Sequence, residues 1–457
     1  GILALYLFAG KYFGRDTGFW AALLLASSLI LVVEAHLAKT DAALFGAVSA
    51  MQCALGDLYL AGRSGLKPWR FAPLLFWFGM AAAILLKGPI PLIMAAGTLL
   101  VLALWKRNEA GKGLLHRLGP QWGVPLVLLI VLPWFIAIYY ATDGLFFSKA
   151  IGEDLLPKLV SGHESHGAPP GYYLLLAPLL FWPGSLLLLA RLKTIWQRIN
   201  RPGSVFLLAW LLPAWLLFEL IPTKLPHYIL PLLPALALLT ADALTNYEKP
   251  PVPASSAKFG RYLLLGVQGL FGLLWLSVAI ILALAPAILQ WLTVGTLHPS
   301  SLVAIGAGIM VVAGAIRYLR QPRQKNLVVM LIGSCIVFGV VLMWALPGLE
   351  LPWVAVKVRQ QMDLHGPGKL VSVGYYEPSL VFLAGTETRL VGVETACESL
   401  NGDYRYLLLD SRSRDKFFAA AGPSCKQLRS LAEFPGYNYS KGKQATYYLF
   451  AKEQEPN

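Results

Sequence analysis

A succession of long apolar runs separated by short polar breaks restricts this chain more than any other feature. Crossing about 30 Å of hydrocarbon takes roughly 17–25 residues of helix. About twelve candidate runs lie near residues 1–13, 19–36, 41–62, 70–86, 89–105, 122–140, 172–190, 204–221, 228–245, 262–286, 301–316 and 326–347. The composition agrees. Hydrophobic residues make up 57% of the 457 positions and charged residues 14%, against roughly 45–50% and about 25% in an ordinary soluble domain. A polytopic α-helical membrane protein with about twelve transmembrane segments is expected over residues 1–347. The chain opens at Gly1 inside an apolar run, without a leader or basic n-region, so the expectation is that its true N-terminus lies upstream.

The formal charge of +14 raises the question of nucleic acid, but the placement of the cations answers it. Twenty Lys and Arg residues sit in alternate connections: 11/15, 63/67/70, 106/107/112/117, 191/193/198/201, 249/258/261 and 317/320/323/325. The intervening connections hold five: Lys39, Lys87, Lys149, Lys158 and Lys224. Such alternation is a topology signal, because Lys and Arg are retained on the cytoplasmic side. A multi-pass protein of a plasma membrane with no nucleic-acid partner follows. Four polar clusters then share the non-cytoplasmic face: Lys39-Thr40-Asp41, Lys87-Gly88-Pro89, the loop 161–173 and residues 222–228.

Beyond residue 347 the pattern changes to short alternating strands and helices, which predicts a small α/β domain over 348–457 on the same outer face. Strands are expected at 369–374, 388–393 and 404–410, helices near 352–364, 377–384 and 412–421, and a terminal hairpin from 427–434 and 444–451. The strand ending at Asp410 runs into Ser-Arg-Ser-Arg rather than a glycine-rich turn, so no nucleotide cofactor is expected. Cys53 and Cys335 lie in apolar runs and read as packing residues. Cys397 and Cys425 can pair if the tail faces an oxidising compartment.

Asp41 opens an apolar segment, where a carboxylate is either a general base for an acceptor hydroxyl or a helix-start residue favoured by the macrodipole, with Thr40 as cap. The connection after Tyr140 is about thirty residues long, which for an irregular loop points to function. His163 and His166, with His227 from another loop, offer nitrogen ligands for a divalent metal ion of unspecified identity; the alternative is hydrogen bonding in a wet loop. Tyr172 and Tyr173 read as substrate contacts or interfacial anchors. Lys224, framed by Pro222 and Pro226, sits where the backbone must break and is suited to a phosphate or to snorkelling at a helix end. Lys39 and Lys87 share those readings. Cations beside lipid with a carboxylate among them suit departure of a lipid-linked phosphate. A transporter or flippase of lipid-linked substrates and a catalytically silent scaffold are the rival readings; the absence of paired repeats weighs against the transporter.

In this order the segments HLAKTDAAL (36–44), LLKGPIP (85–91), HGAPPGYY (166–173), PTKLPHYILPLLPALALL (222–239) and YYEPSLVFLAG (375–385) resemble the GT-C-fold membrane glycosyltransferases of the aminoarabinose transferase and protein O-mannosyltransferase superfamily. The resemblance implies transfer of a sugar from a polyprenyl-phosphate donor to a lipid A-like or other envelope acceptor, at the periplasmic face of a bacterial inner membrane. It also implies that Asp41 matches the family's second acidic position, with Lys87, His163, His166, Lys224 and His227 as candidates for phosphate or metal contacts. The family's first periplasmic loop with its acidic motif is not found before Gly1.

Overall fold

The computed structural model describes residues 1–105, 110–155, 167–246, 258–294, 296–297, 299–349, 351–420, 425 and 427–452. They divide into two compact units, Gly1–Ala283 with Val303–Phe338, and Leu284–Leu302 with Gly339–Asn457. The division differs from a boundary at 347/348, because apolar runs mark where lipid-compatible sequence ends, whereas packing also draws 284–302 and the last apolar turns into the second unit.

Every apolar run in the first unit is helical, but their lengths differ. Among the described residues of the whole chain seven helices are long and apolar enough to cross a membrane, or nine if two bent pairs each count as one span. Ile2–Tyr12, Ala72–Lys87 and Ile90–Trp105 are apolar but have only 11, 16 and 16 residues. Twelve full spans are therefore not reached by length.

Burial sorts these helices by sequence. Pro120–Ala141 buries 11% of its most apolar window and presents the rest outward, whereas Asp41–Ser64 buries 78% and Pro226–Thr245 buries 83%. The central helices carry the polar groups. Gln52 donates to Thr98 Oγ1 at 3.1 Å between two helices, the kind of side-chain pairing that holds helices together where lipid offers no partner. A Cβ on Gly79 would stand 2.9 Å from the Ala47 carbonyl oxygen, so the small residue permits the close approach of two helices.

Interruptions in the helices are each provided with partners. Arg15–Ala26 turns by 61° into Leu29–Ala35, and at the break the Ser27 and Ser28 hydroxyls donate to the Leu24 and Leu25 carbonyls. The second break, at Phe181–Pro183, separates Tyr172–Leu180 from Gly184–Gln197 at 114°. The two breaks are tied together, since the Leu29 N–H donates to the Trp182 carbonyl at 2.8 Å.

A second set of ties surrounds the end of Pro202–Leu220. Glu219, 8% exposed, accepts the N–H groups of Gly171, Tyr173 and Leu174 at 2.9, 3.1 and 3.3 Å, and so caps the start of Tyr172–Leu180 from another helix. Lys224, 3% exposed, turns its ammonium back onto the carbonyls of Phe218, Glu219 and Ile221. Gly167 and Thr223 form an antiparallel bridge, and Ala168 N–H donates to the Pro222 carbonyl at 3.2 Å.

The second unit holds a five-stranded sheet in the order β2-β1-β3-β5-β4. Its strands are β1 (Lys369–Val373), β2 (Arg389–Leu390), β3 (Tyr404–Asp410), β4 (Arg429–Asn438) and β5 (Lys443–Ala451). β1 pairs in parallel with β2 and β3, while β5 runs antiparallel to β3 and forms a hairpin with β4. The expected middle strand 388–393 shrinks to two residues; the other expected strands form. Alternate residues of β3 enter opposite cores. Tyr406 and Leu408 pack with Val354, Val358 and Met362, and Leu407 and Leu409 with Ala396 and Phe417. A central strand covered on both faces reads as a nearly continuous apolar run, as YRYLLLD does. Cys397 and Cys425 form a disulfide across 28 positions on the second face.

Replacing both cysteines by serine should lower the stability of this domain by about 3–4 kcal/mol, the loop-closure value for a separation of this size. Faster amide exchange in β1 and β3 of the whole protein is the readout. Glu219→Ala should cost about 3 kcal/mol by leaving buried N–H groups without an acceptor, measured as an earlier thermal transition in detergent; an unchanged transition would show that the cap contributes nothing.

Candidate functional site

The site is assembled at the start of the Asp41–Ser64 helix. After Leu29–Ala35 the chain turns through 36–40, and Thr40 occupies the N-cap position without a side-chain capping bond. Asp41 is the first helical residue and is 5% exposed, so the favourable position for a carboxylate at a helix start is realised. Its Oδ1 forms an ion pair with Lys87 Nζ, from the last turn of Ala72–Lys87. Lys87 also lies 5.7 Å from the centre of the Tyr228 ring.

His227 follows Pro226 in the 3-10 turn Pro226–Leu232. Its Nε2 is 3.8 Å from Asp41 Oδ1, and its Nδ1 is 3.7 Å from Glu34 Oε1. The imidazole thus stands between two carboxylates, one nitrogen towards each. Glu34 is 3% exposed, with Lys39 Nζ at 3.6 Å from Oε1 and a buried Oε2 that has no hydrogen-bond partner among the described residues. Two carboxylate side chains face two lysines. Glu34, Asp41 and His227 each offer one ligand atom within 4.8 Å of the others. Nitrogen with carboxylate oxygen is a donor set suited to a divalent ion, and the partnerless Glu34 oxygen fits the same use.

Three of the four polar clusters therefore converge on one point: Lys39 and Asp41, Lys87, and His227. The fourth is represented by its second half only. His163 and His166, expected as metal ligands, lie outside the described residues. Tyr172 is half-buried at the helix start, while Tyr173 is 0% exposed and its hydroxyl donates to the Leu225 carbonyl at 3.1 Å. Lys224 has its ammonium committed to three carbonyls at a helix end. In this structure both side chains tie neighbouring segments together, Tyr173 through Leu225 and Lys224 through the end of Pro202–Leu220.

Glu34, Glu219 and Asp57 were not singled out by sequence reasoning. Each sits within an apolar run, and a carboxylate in that setting is itself the signal. Glu34 joins the site. Asp57, 0% exposed, accepts from Lys11 Nζ, from Tyr12 Oη at 2.8 Å and from the Trp69 N–H at 2.6 Å, near the opposite end of the Asp41 helix.

The family of dolichyl-phosphate-mannose-protein mannosyltransferases matches residues 1–143. Among curated proteins, the undecaprenyl phosphate-alpha-4-amino-4-deoxy-L-arabinose arabinosyl transferase of Pseudomonas savastanoi pv. phaseolicola is 32% identical over 161 residues, 35% of this chain and 29% of that protein. The corresponding transferase of Pseudomonas aeruginosa is 29% identical over 249 residues, 54% of this chain and 44% of that protein. The chain spans less than half the length of these curated relatives. The crystal structure of ArnT from Cupriavidus metallidurans bound to undecaprenyl phosphate superposes with a TM-score of 0.71 at 18% identity, covering 100% of this chain and 83% of ArnT. In its motifs and over residues 1–143 the chain is similar to the protein mannosyltransferases and aminoarabinose transferases, and it shares the fold of ArnT.

Proposed function

We propose that the chain transfers a glycosyl group, a pentose of the aminoarabinose kind, from a polyprenyl-phosphate donor to a lipid A-like or other envelope acceptor. The reaction is placed at the periplasmic face of the inner membrane. The observation that carries this reading is the convergence of Asp41, Glu34, His227, Lys39 and Lys87 beside apolar helices. The choice of a pentose rests on the arabinosyl transfer carried out by the curated relatives. The cytoplasmic placement of the basic connections and the Cys397–Cys425 disulfide, a bond of oxidising compartments, support the orientation of the site and of the C-terminal domain.

In the proposed reaction the acceptor hydroxyl oxygen bonds to the anomeric carbon. The bond from that carbon to the phosphate oxygen breaks, and polyprenyl phosphate leaves with the electron pair. Asp41 takes the proton of the attacking hydroxyl. Its pairing with Lys87 gives that transfer a second effect: once protonated, Asp41 no longer neutralises Lys87, whose charge is released as the phosphate gains its own. Lys39, with its side chain 46% exposed, is the more accessible cation for the donor phosphate. Glu34, Asp41 and His227 would hold a divalent ion, which when bound supplies further positive charge towards a phosphate. Tyr172 remains a candidate contact at the rim.

Membranes carrying the full-length protein, supplied with labelled sugar on polyprenyl-phosphate donors, test the reading. Asp41→Asn should reduce transfer by roughly 10²–10⁴-fold, the range for loss of a general base; wild-type turnover in that variant would remove Asp41 from the reaction. Lys224→Met is expected to lower thermal stability while leaving the donor KM of the folded fraction unchanged, in contrast to Lys87→Gln, which should raise it. For the metal, His227→Ala should weaken Mn²⁺ or Zn²⁺ binding measured by calorimetry by more than the roughly tenfold typical of an outer-shell loss. Equal heats from both proteins would rule out His227 as a ligand.

A further inference from the structure

Near the far end of the Asp41–Ser64 helix, about 33 Å from Asp41 by helical rise, several helix ends line an open cavity of about 380 Å³. Its walls come from Tyr12 and Phe13, from Arg63 and Ser64, from the start of Pro202–Leu220, and from Asp242 and Asn246 at the end of Leu233–Thr245. Nothing in the proposed transfer uses it.

Three guanidinium groups line the cavity, Arg63, Arg198 and Arg201, against the single carboxylate of Asp242. Arg198 is engaged with that carboxylate through two bonds of 2.7 and 2.9 Å. Arg63 lies 3.8 Å over the Tyr59 ring and donates to the Tyr59 carbonyl at 3.3 Å. Arg201 is exposed and has no acidic partner among the described residues. Among the described residues, Arg63 and Arg201 therefore have no carboxylate paired with them.

Ser204 supplies an independent observation. It is 3% exposed, lines the cavity, and among the described residues its hydroxyl has no hydrogen-bond partner. It stands in the first turn of Pro202–Leu220, where the N–H groups of Gly203 and Ser204 have no acceptor within the helix. The hydroxyl, the first-turn N–H groups and the cations share the lining of one cavity. Such convergence suits a tetrahedral oxyanion.

From these contacts we infer that the cavity binds a phosphate group, and that its position at the ends of apolar helices admits the headgroup of an anionic phospholipid. The site is separate from the Asp41 cluster and takes its ligand on the basic side of the protein. A free phosphate shares the chemistry, and the experiment separates the two sources.

Native mass spectrometry of the purified whole protein, titrated with phosphatidylglycerol, diacylglycerol or inorganic phosphate, provides the test. Phosphatidylglycerol should be retained on the wild type, diacylglycerol should not displace it, and Arg201→Gln and Ser204→Ala should each weaken retention by roughly tenfold, the scale of one hydrogen bond to a charged group. Arg320→Gln, on a separate basic connection, controls for lipid held by general surface charge and should leave retention unchanged. Retention of inorganic phosphate but not phosphatidylglycerol, lost in the same two variants, would confirm the phosphate site and overturn its assignment to lipid. Equal retention of phosphatidylglycerol by wild type, Arg201→Gln and Ser204→Ala would overturn the site. Arg201 is exposed, so its substitution tests binding without burdening the fold.

Discussion

Backbone hydrogen bonding in a medium without water governs this molecule. An uninterrupted helix satisfies its own N–H and C=O groups, and each interruption must find substitutes. The helices here are interrupted repeatedly at their polar ends, and the substitutes are specific: serine hydroxyls at 27 and 28, the Glu219 carboxylate, the Lys224 ammonium, and direct bonds between loops. Irregular backbone is thereby stabilised close to the chemistry. Without these ties, the turn carrying His227 and the segment entering Tyr172 would lack a fixed position.

The candidate site follows from the same setting. Glu34 and Asp41 are each nearly buried, and an isolated ionised carboxylate in that position would be expensive. Lys39 and Lys87 offset the cost, and His227 lies between the two acids. A compact set of opposed charges responds strongly to a change in any member, because no large solvent reservoir screens it. The pairing that stabilises the cluster is thus also what makes it sensitive to any charge brought beside it.

Much of this was legible in sequence because two simple periodicities dominate it. Apolar runs located the helices, and alternating cations grouped the KTD, KGP and PHY clusters on one side before any fold was known. The YRYLLLD strand and the terminal hairpin were readable from β-branched and aromatic content with turn residues. What escaped was the direction of individual side chains. Lys224 is flanked by prolines and was suited to a phosphate, yet it turns back onto the helix that precedes it, a choice set by nearby carbonyls rather than by local sequence. Tyr173 differs from Tyr172 only in which side of a helix it occupies. Glu34 escaped because its role depends on partners from positions 39 and 227, one local and one distant.

The bond from Leu29 to Trp182 joins two elbows that are far apart in sequence. Each elbow has a short arm beyond it: one leads to Glu34, and the other comes from the tyrosine pair held by Glu219. Because the two elbows share one fixed point, the arm that carries Glu34 and the helix that begins at Tyr172 are both positioned from the same place in the fold.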